Sequence, residues 1–123
     1  MRTSVTRYFS FEAAHFLPNY NGACSNLHGH SYKLHVTVSG CVDEVTGMVL
    51  DFKILNNIVQ HSVVGKYDHK LLNDFFRLPT AENMANKIFK DLEIEFSKLG
   101  LVLDSVKLWE TENSYAECKR GND

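Results

Sequence analysis

Ser31-Tyr32-Lys33-Leu34-His35-Val36-Thr37-Val38-Ser39 alternates without a break. Tyr32, Leu34, Val36 and Val38 fall on one side, and Lys33, His35, Thr37 and Ser39 on the other. A side-chain period of two is that of a strand with one face in a core, and a strand is predicted over 31–42. Upstream, residues 3–12 set Val5, Arg7, Phe9 and Phe11 against Thr6, Tyr8, Ser10 and Glu12. The excess of β-branched and aromatic types again favours a strand, which pairs with the later one across the turn-rich stretch Pro18 to Gly22.

Downstream the period changes. Asp43 to Gly47 reads as a loop, Met48 to Leu50 as a short strand extension, and Asp51 as the cap of a helix. Phe52, Leu55, Ile58, Val59 and Val63 recur at helical spacing, with Gly65 suited to the end. Thr80 caps a second helix striped by Ala81, Met84, Ala85, Ile88, Phe89, Leu92, Phe96 and Leu99 and closed by Gly100. Residues 101–110 and 114–119 form a hairpin around Thr111-Glu112-Asn113, and residues 117–123 run out as a charged, solvated end. The order ββααββ predicts an α+β domain, an antiparallel four-stranded sheet with two helices on one face. Its other face has no cover within the chain, so the sheet is expected to assemble with further copies.

The whole chain, 1–123, is one domain: 123 residues and 14.0 kDa leave no room for a second. A hydrophobic fraction of 44% with 23% charged residues supports a core and excludes disorder as the main state. Thirteen basic residues against fifteen acidic give a net charge of −2, so no cationic field gathers nucleic acid or an anionic membrane. No apolar run reaches the roughly 18 residues of a membrane span, and the start lacks a signal-peptide core. A cytoplasmic protein is expected. Three cysteines at scattered spacings do not make a disulfide framework; Cys41 and Cys118 read as small apolar fillers.

The chemistry concentrates in Cys24-Ser-Asn-Leu-His28-Gly-His30. On a strand, His28 and His30 share a face, about 7 Å apart at Cα, and His15 ends the first strand. Three neutral imidazoles with an open fourth position make a catalytic zinc site. A closed structural site of Cys24, His15, His28 and His30 is the rival reading. Asp68-His69 suits an ordinary surface pair, or a carboxylate-oriented base able to withdraw a proton from a thiol, for which Cys24 is the candidate. Glu110, closing an apolar strand, suits either a turn or paired hydrogen bonds to an amide-like ring edge such as a pterin or guanine. His61 is placed at the surface, Phe75-Phe76 in packing, and His35 on the face opposite His28 and His30.

Six motifs in register carry a resemblance: Phe11-Glu-Ala-Ala-His15, Cys24 to His30, Gly47-Met-Val-Leu-Asp51-Phe52, Asp68-His69-x-x-Leu72-Asn73, Pro79-Thr-Ala-Glu-Asn83 and Trp109-Glu110-Thr111. Over residues 8–118 the chain resembles the 6-pyruvoyltetrahydropterin and 6-carboxytetrahydropterin synthases. The resemblance implies the tunnelling fold (T-fold), with barrels closed by trimerisation and two trimers stacked as a homohexamer with sites at subunit interfaces. It implies Zn2+ on His15, His28 and His30, proton transfer by Cys24 with Asp68 and His69, and a pterin anchored by Glu110. The implied reaction converts 7,8-dihydroneopterin triphosphate to 6-carboxy-5,6,7,8-tetrahydropterin, releasing triphosphate and acetaldehyde, in queuosine biosynthesis. Three residues between Cys24 and His28 resemble the carboxy-forming branch; the pyruvoyl-forming enzyme is the alternative, and a non-catalytic, zinc-stapled pterin-binding protein is a third. Phe16, where a basic residue is common, and Glu112-Asn-Ser-Tyr115, where Pro-Thr-Ser-Trp is typical, depart from the family pattern.

Overall fold

The structure is a computed structural model that describes residues 1–121; the last two residues of the predicted solvated end lie outside the described residues. Strands β1 (Arg2–His15) and β2 (His28–Cys41) pair antiparallel along their full lengths, with Phe11 opposite Tyr32 and His15 opposite His28. Both are longer than the predicted segments, and the extra residues carry His15, His28 and His30. β2 pairs antiparallel with β4 (Val102–Thr111), which pairs with β5 (Ser114–Lys119).

Two helical stretches cover one face. The first begins as α1 (Phe52–Val59), where Asp51 accepts a hydrogen bond from the Lys53 N–H as the sequence predicts. It does not end at Gly65. It widens into a π turn, Gln60–Val64, and continues as α2 (Gly65–Tyr67) with Gly65 in the right-handed helical region. A Cβ at Gly65 would sit 2.9 Å from the Gln60 carbonyl oxygen, so the glycine serves close approach inside the helix, not termination. The second stretch, α3 (Ala81–Ser97), is capped by the Thr80 hydroxyl accepting from the Asn83 N–H, and Gly100 leaves it at φ 73°.

The sheet has five strands in the order β3-β1-β2-β4-β5, where four antiparallel strands were expected. The fifth is β3 (Lys70–Leu71), two residues lying parallel to Ala13 and Ala14 at the edge of β1. Two residues are too short to show alternation; the strand exists because the preceding Asp68 and His69 are tied to Glu12 of β1. The predicted extension at Met48–Leu50 is bend and coil.

Phe9, Phe11, Tyr32, Leu34, Val36, Val38, Leu103, Val106 and Leu108 meet the helical residues in one buried cluster, each full burial contributing roughly 1.5–3 kcal/mol. Phe52 (46% exposed) and Leu99 (52% exposed) fall outside it although the helical period assigned them to buried stripes; Phe52 is the first residue of α1 and Leu99 lies past the last residue of α3. Cys41 is exposed at the end of β2 and fills no core position, whereas Cys118 packs against the cluster. The open face carries Tyr8 stacked on His35 with ring centroids 3.8 Å apart, beside Trp109 and Tyr115. No helix among the described residues is long and apolar enough to cross a membrane.

Candidate metal centre

His15, His28 and His30 gather where β1 meets β2, on the helix-covered face. A ligating nitrogen from each lies within 4.8 Å of the others, His15 fully buried and the other two half-buried. Pairing explains the convergence: His15 is directly opposite His28, and Ala13, the small residue opposite His30, leaves room for its ring. The three rings meet edge to face at centroid distances of 4.7–5.0 Å.

The backbone engages Nδ1 of two of them. His15 Nδ1 lies 2.7 Å from the Pro79 carbonyl oxygen, and His28 Nδ1 lies 2.6 Å from that of Asn26. A carbonyl only accepts, so both Nδ1 atoms carry a proton and Nε2 is the nitrogen each ring can offer a metal ion. This is the outer-shell arrangement of ligating histidines. Burial holds the His30 imidazole below its ordinary range, opposed by Glu110 and reinforced by His15 and His28. Burial, with Glu110 adding to it, pushes the Tyr32 phenol beneath these rings well above its ordinary value. Three imidazoles with ring nitrogens within 4.8 Å of one another are a donor set for a divalent transition ion, so the residues present fit the implied metal.

Glu110 joins this group. Its Oε1 lies 3.3 Å from His15 Nε2 and 3.6 Å from His30 Nε2. The β4–β5 register breaks between Trp109 and Thr111, which leaves Glu110 as the extra residue of a bulge, a device that re-aims a side chain.

Asp68 and His69 form a second group at the β1 edge. Asp68 Oδ1 accepts from the Glu12 N–H at 2.9 Å, Oδ2 lies 3.0 Å from His69 Nδ1, and the His69 N–H donates to the Glu12 carbonyl. The Glu12 N–H first, and His69 second, hold the Asp68 carboxyl below its usual range. His69 takes φ 60°, an uncommon conformation for a residue other than glycine. His30 and His69 line one cleft of about 690 Å³ with Glu12, Gly29, Ser31 and Lys70.

Cys24 stands apart. It sits half-buried in a 3-10 turn, Ala23–Ser25, its carbonyl accepting from the Leu17 N–H. Among the described residues it is not one of the gathered donor atoms and makes no side-chain hydrogen bond to Asp68 or His69. One chain thus assembles the three histidines with Glu110, and Asp68 with His69, but not the thiol with either.

Sequence reasoning did not assign roles to Pro79, Asn26, Glu12 or Asn73. Asn73 clamps the chain beyond His15, accepting from the Phe16 N–H at 3.0 Å and donating to the Phe16 carbonyl at 2.9 Å. All four stand in the quoted motifs, which was the available signal.

Strand-end histidines beside a sheet left open on one face define a T-fold protein with a metal-competent histidine triad. A family model described as 6-pyruvoyl tetrahydropterin synthase matches residues 4–121. The chain belongs to that family. It is 42% identical over 118 residues to the 6-carboxy-5,6,7,8-tetrahydropterin synthase of Synechocystis sp., covering 91% of this chain and 89% of that protein. It is 36% identical over 135 residues to the 6-pyruvoyl tetrahydrobiopterin synthase of Pongo abelii, covering 96% and 92%. The Caenorhabditis elegans 6-pyruvoyl tetrahydropterin synthase structure superposes with a TM-score of 0.87 at 30% identity, covering 98% of this chain and 97% of that one.

Proposed function

We propose that the protein is a cytoplasmic, zinc-dependent carbon–oxygen lyase that converts 7,8-dihydroneopterin triphosphate to 6-carboxy-5,6,7,8-tetrahydropterin, releasing triphosphate and acetaldehyde, in queuosine biosynthesis. The observation that carries this reading is the convergence of His15, His28 and His30, with Nδ1 of His15 and of His28 held by backbone carbonyls so that Nε2 is the ligating nitrogen of each. These three residues would hold the ion. When bound, it supplies Lewis-acid polarisation of the side-chain oxygens and acidifies the adjoining C–H. Cys24, as thiolate, takes that proton; His69, oriented by Asp68, takes the thiol proton and returns it; Glu110 holds the pterin edge by paired hydrogen bonds.

Within one chain Cys24 makes no side-chain hydrogen bond to Asp68 or His69 among the described residues, which supports a complete site shared between neighbouring subunits of a homohexamer. The uncovered sheet face supports assembly, as does the Trp109 indole N–H, which is buried without a partner among the described residues. The second reading, a 6-pyruvoyltetrahydropterin synthase, is favoured by the identity to the Pongo abelii protein.

The test is incubation of metal-quantified protein with dihydroneopterin triphosphate and identification of every carbon-containing product. Acetaldehyde with the carboxy pterin is expected. Turnover without acetaldehyde replaces the first reading by the second, and undiminished turnover by protein verified free of metal overturns both.

A further inference from the structure

Residues 69–73 follow residues 12–16 in parallel at a constant offset of 57 positions. The His69 N–H donates to the Glu12 carbonyl at 2.6 Å, Lys70 and Leu71 pair with Ala13 and Ala14, and Asn73 bonds Phe16. Backbone pairing stops after Leu71, because Leu72–Asp74 coils into a 3-10 turn. The register continues all the same. The Asn73 side chain, an amide with an acceptor and a donor of its own, stands in for the missing peptide group: it accepts from the Phe16 N–H at 3.0 Å and donates to the Phe16 carbonyl at 2.9 Å. At the other end the Asp68 carboxylate accepts from the Glu12 N–H at 2.9 Å. Two residues of edge pairing offer little against local opening, and a side-chain bond fastens them at each end.

The group that depends on this fastening is His69. Its backbone takes φ 60°, a sparsely populated region for a residue with a Cβ, which persists only where the surroundings over-determine it. Its side chain is 78% exposed, so packing contributes little to holding the ring; the backbone and Asp68 Oδ2, 3.0 Å from Nδ1, hold it. We propose that Asn73 is a positioning residue for His69. By closing the parallel segment onto Phe16, it keeps the His69 backbone in its left-handed conformation and the imidazole on Asp68. Without the clamp, β3 lifts from β1, His69 returns to an ordinary φ, and its ring swings away from the carboxylate. Phe16 directly follows His15, so the same clamp registers the base against the strand end that carries a candidate metal ligand. The inference rests on the proposed role of His69 in proton transfer and adds the residue that keeps it in place.

Two measurements on the full-length, metal-loaded protein test it. In wild type, amide hydrogen exchange should give the N–H groups of Glu12, Phe16 and His69 one common opening constant, because all three bonds break when the segment lifts. A Phe16 N–H that opens independently of the other two overturns the proposal, and this measurement needs no variant. The second is a double-mutant cycle on turnover of dihydroneopterin triphosphate at saturating Zn2+, with metal content matched throughout. Asn73→Ala should lower kcat about 100-fold, the effect of misplacing a reacting group by about 1 Å, with little change in KM. His69→Asn removes the base while tolerating a left-handed backbone; in that background Asn73→Ala should cost less than about twofold. The full loss recurring in the His69→Asn background would mean that Asn73 acts on the fold or the metal centre alone; it overturns the proposal and leaves the proposed function standing. Wild-type protein without turnover overturns both.

Discussion

The Pro79 carbonyl oxygen accepts the Nδ1 hydrogen of His15 at 2.7 Å across 64 residues of sequence. A residue just ahead of α3 thus decides which nitrogen of a β1 histidine faces the candidate metal centre. Proline suits the task because its fixed φ holds that carbonyl in place before the Thr80 cap.

Replacing Pro79 by Gly should therefore act on metal affinity more than on folding. Freed φ costs about 0.4–1 kcal/mol through the unfolded chain, while loss of an outer-shell partner weakens metal binding about 10–100-fold. Urea denaturation and chelator competition measure the two separately. Equal zinc affinity in Pro79→Gly and wild type would show that the carbonyl does not orient His15.

Asn73→Ala removes both hydrogen bonds to the Phe16 backbone. A half-buried N–H and carbonyl are left to find other partners, at about 1–3 kcal/mol each if none is found. Stability should fall by roughly that range, with weaker metal binding because Phe16 follows His15. Denaturant midpoints and metal titration check it.

Cys24→Ala should keep the metal and lose turnover, by roughly the 10²–10⁴-fold attributed to a positioned proton-transfer group. Metal analysis and product formation on the same sample decide the matter. Loss of metal and stability together would instead mean that the thiol is a structural ligand and that the protein is a zinc-stapled binder.

Asp68 carries a pH signature with a definite sign. Its folded pKa is depressed, chiefly by the Glu12 N–H and next by His69, so the unfolded chain binds the proton more tightly. Stability from this group is fully present above the unfolded value of about 3.9 and is lost as pH falls through the folded value. Acid unfolding curves of wild type and Asp68→Asn should converge at low pH and separate above about pH 4. Parallel curves over the whole range would remove Asp68 from the account.

Four of the five strands, both helix caps and the three histidines were legible in the sequence because each leaves a local mark. Alternation at Tyr32 to Val38 reports one-sided burial, Asp51 and Thr80 bond N–H groups two and three residues away, and His28 and His30 are two apart on one strand. The π turn was not legible: Gly65 has the composition of a helix end, and only the 2.9 Å approach to the Gln60 oxygen shows that the helix needs a glycine inside it.

The amino-acid order alone determined the α+β class, the family and the three histidines that could hold a metal ion, since periodic burial and motif spacing are written in short windows. Tertiary structure decided the rest: β3 laid parallel to β1, Glu110 turned onto the histidines by a bulge, Pro79 and Asn73 brought to the end of β1, and Asp68 and His69 bonded to Glu12. These relationships depend on where long chain segments return in space. Their donors and acceptors leave no periodic trace, because a single hydrogen bond between distant residues needs one compatible atom at each end and imposes no pattern on the residues between.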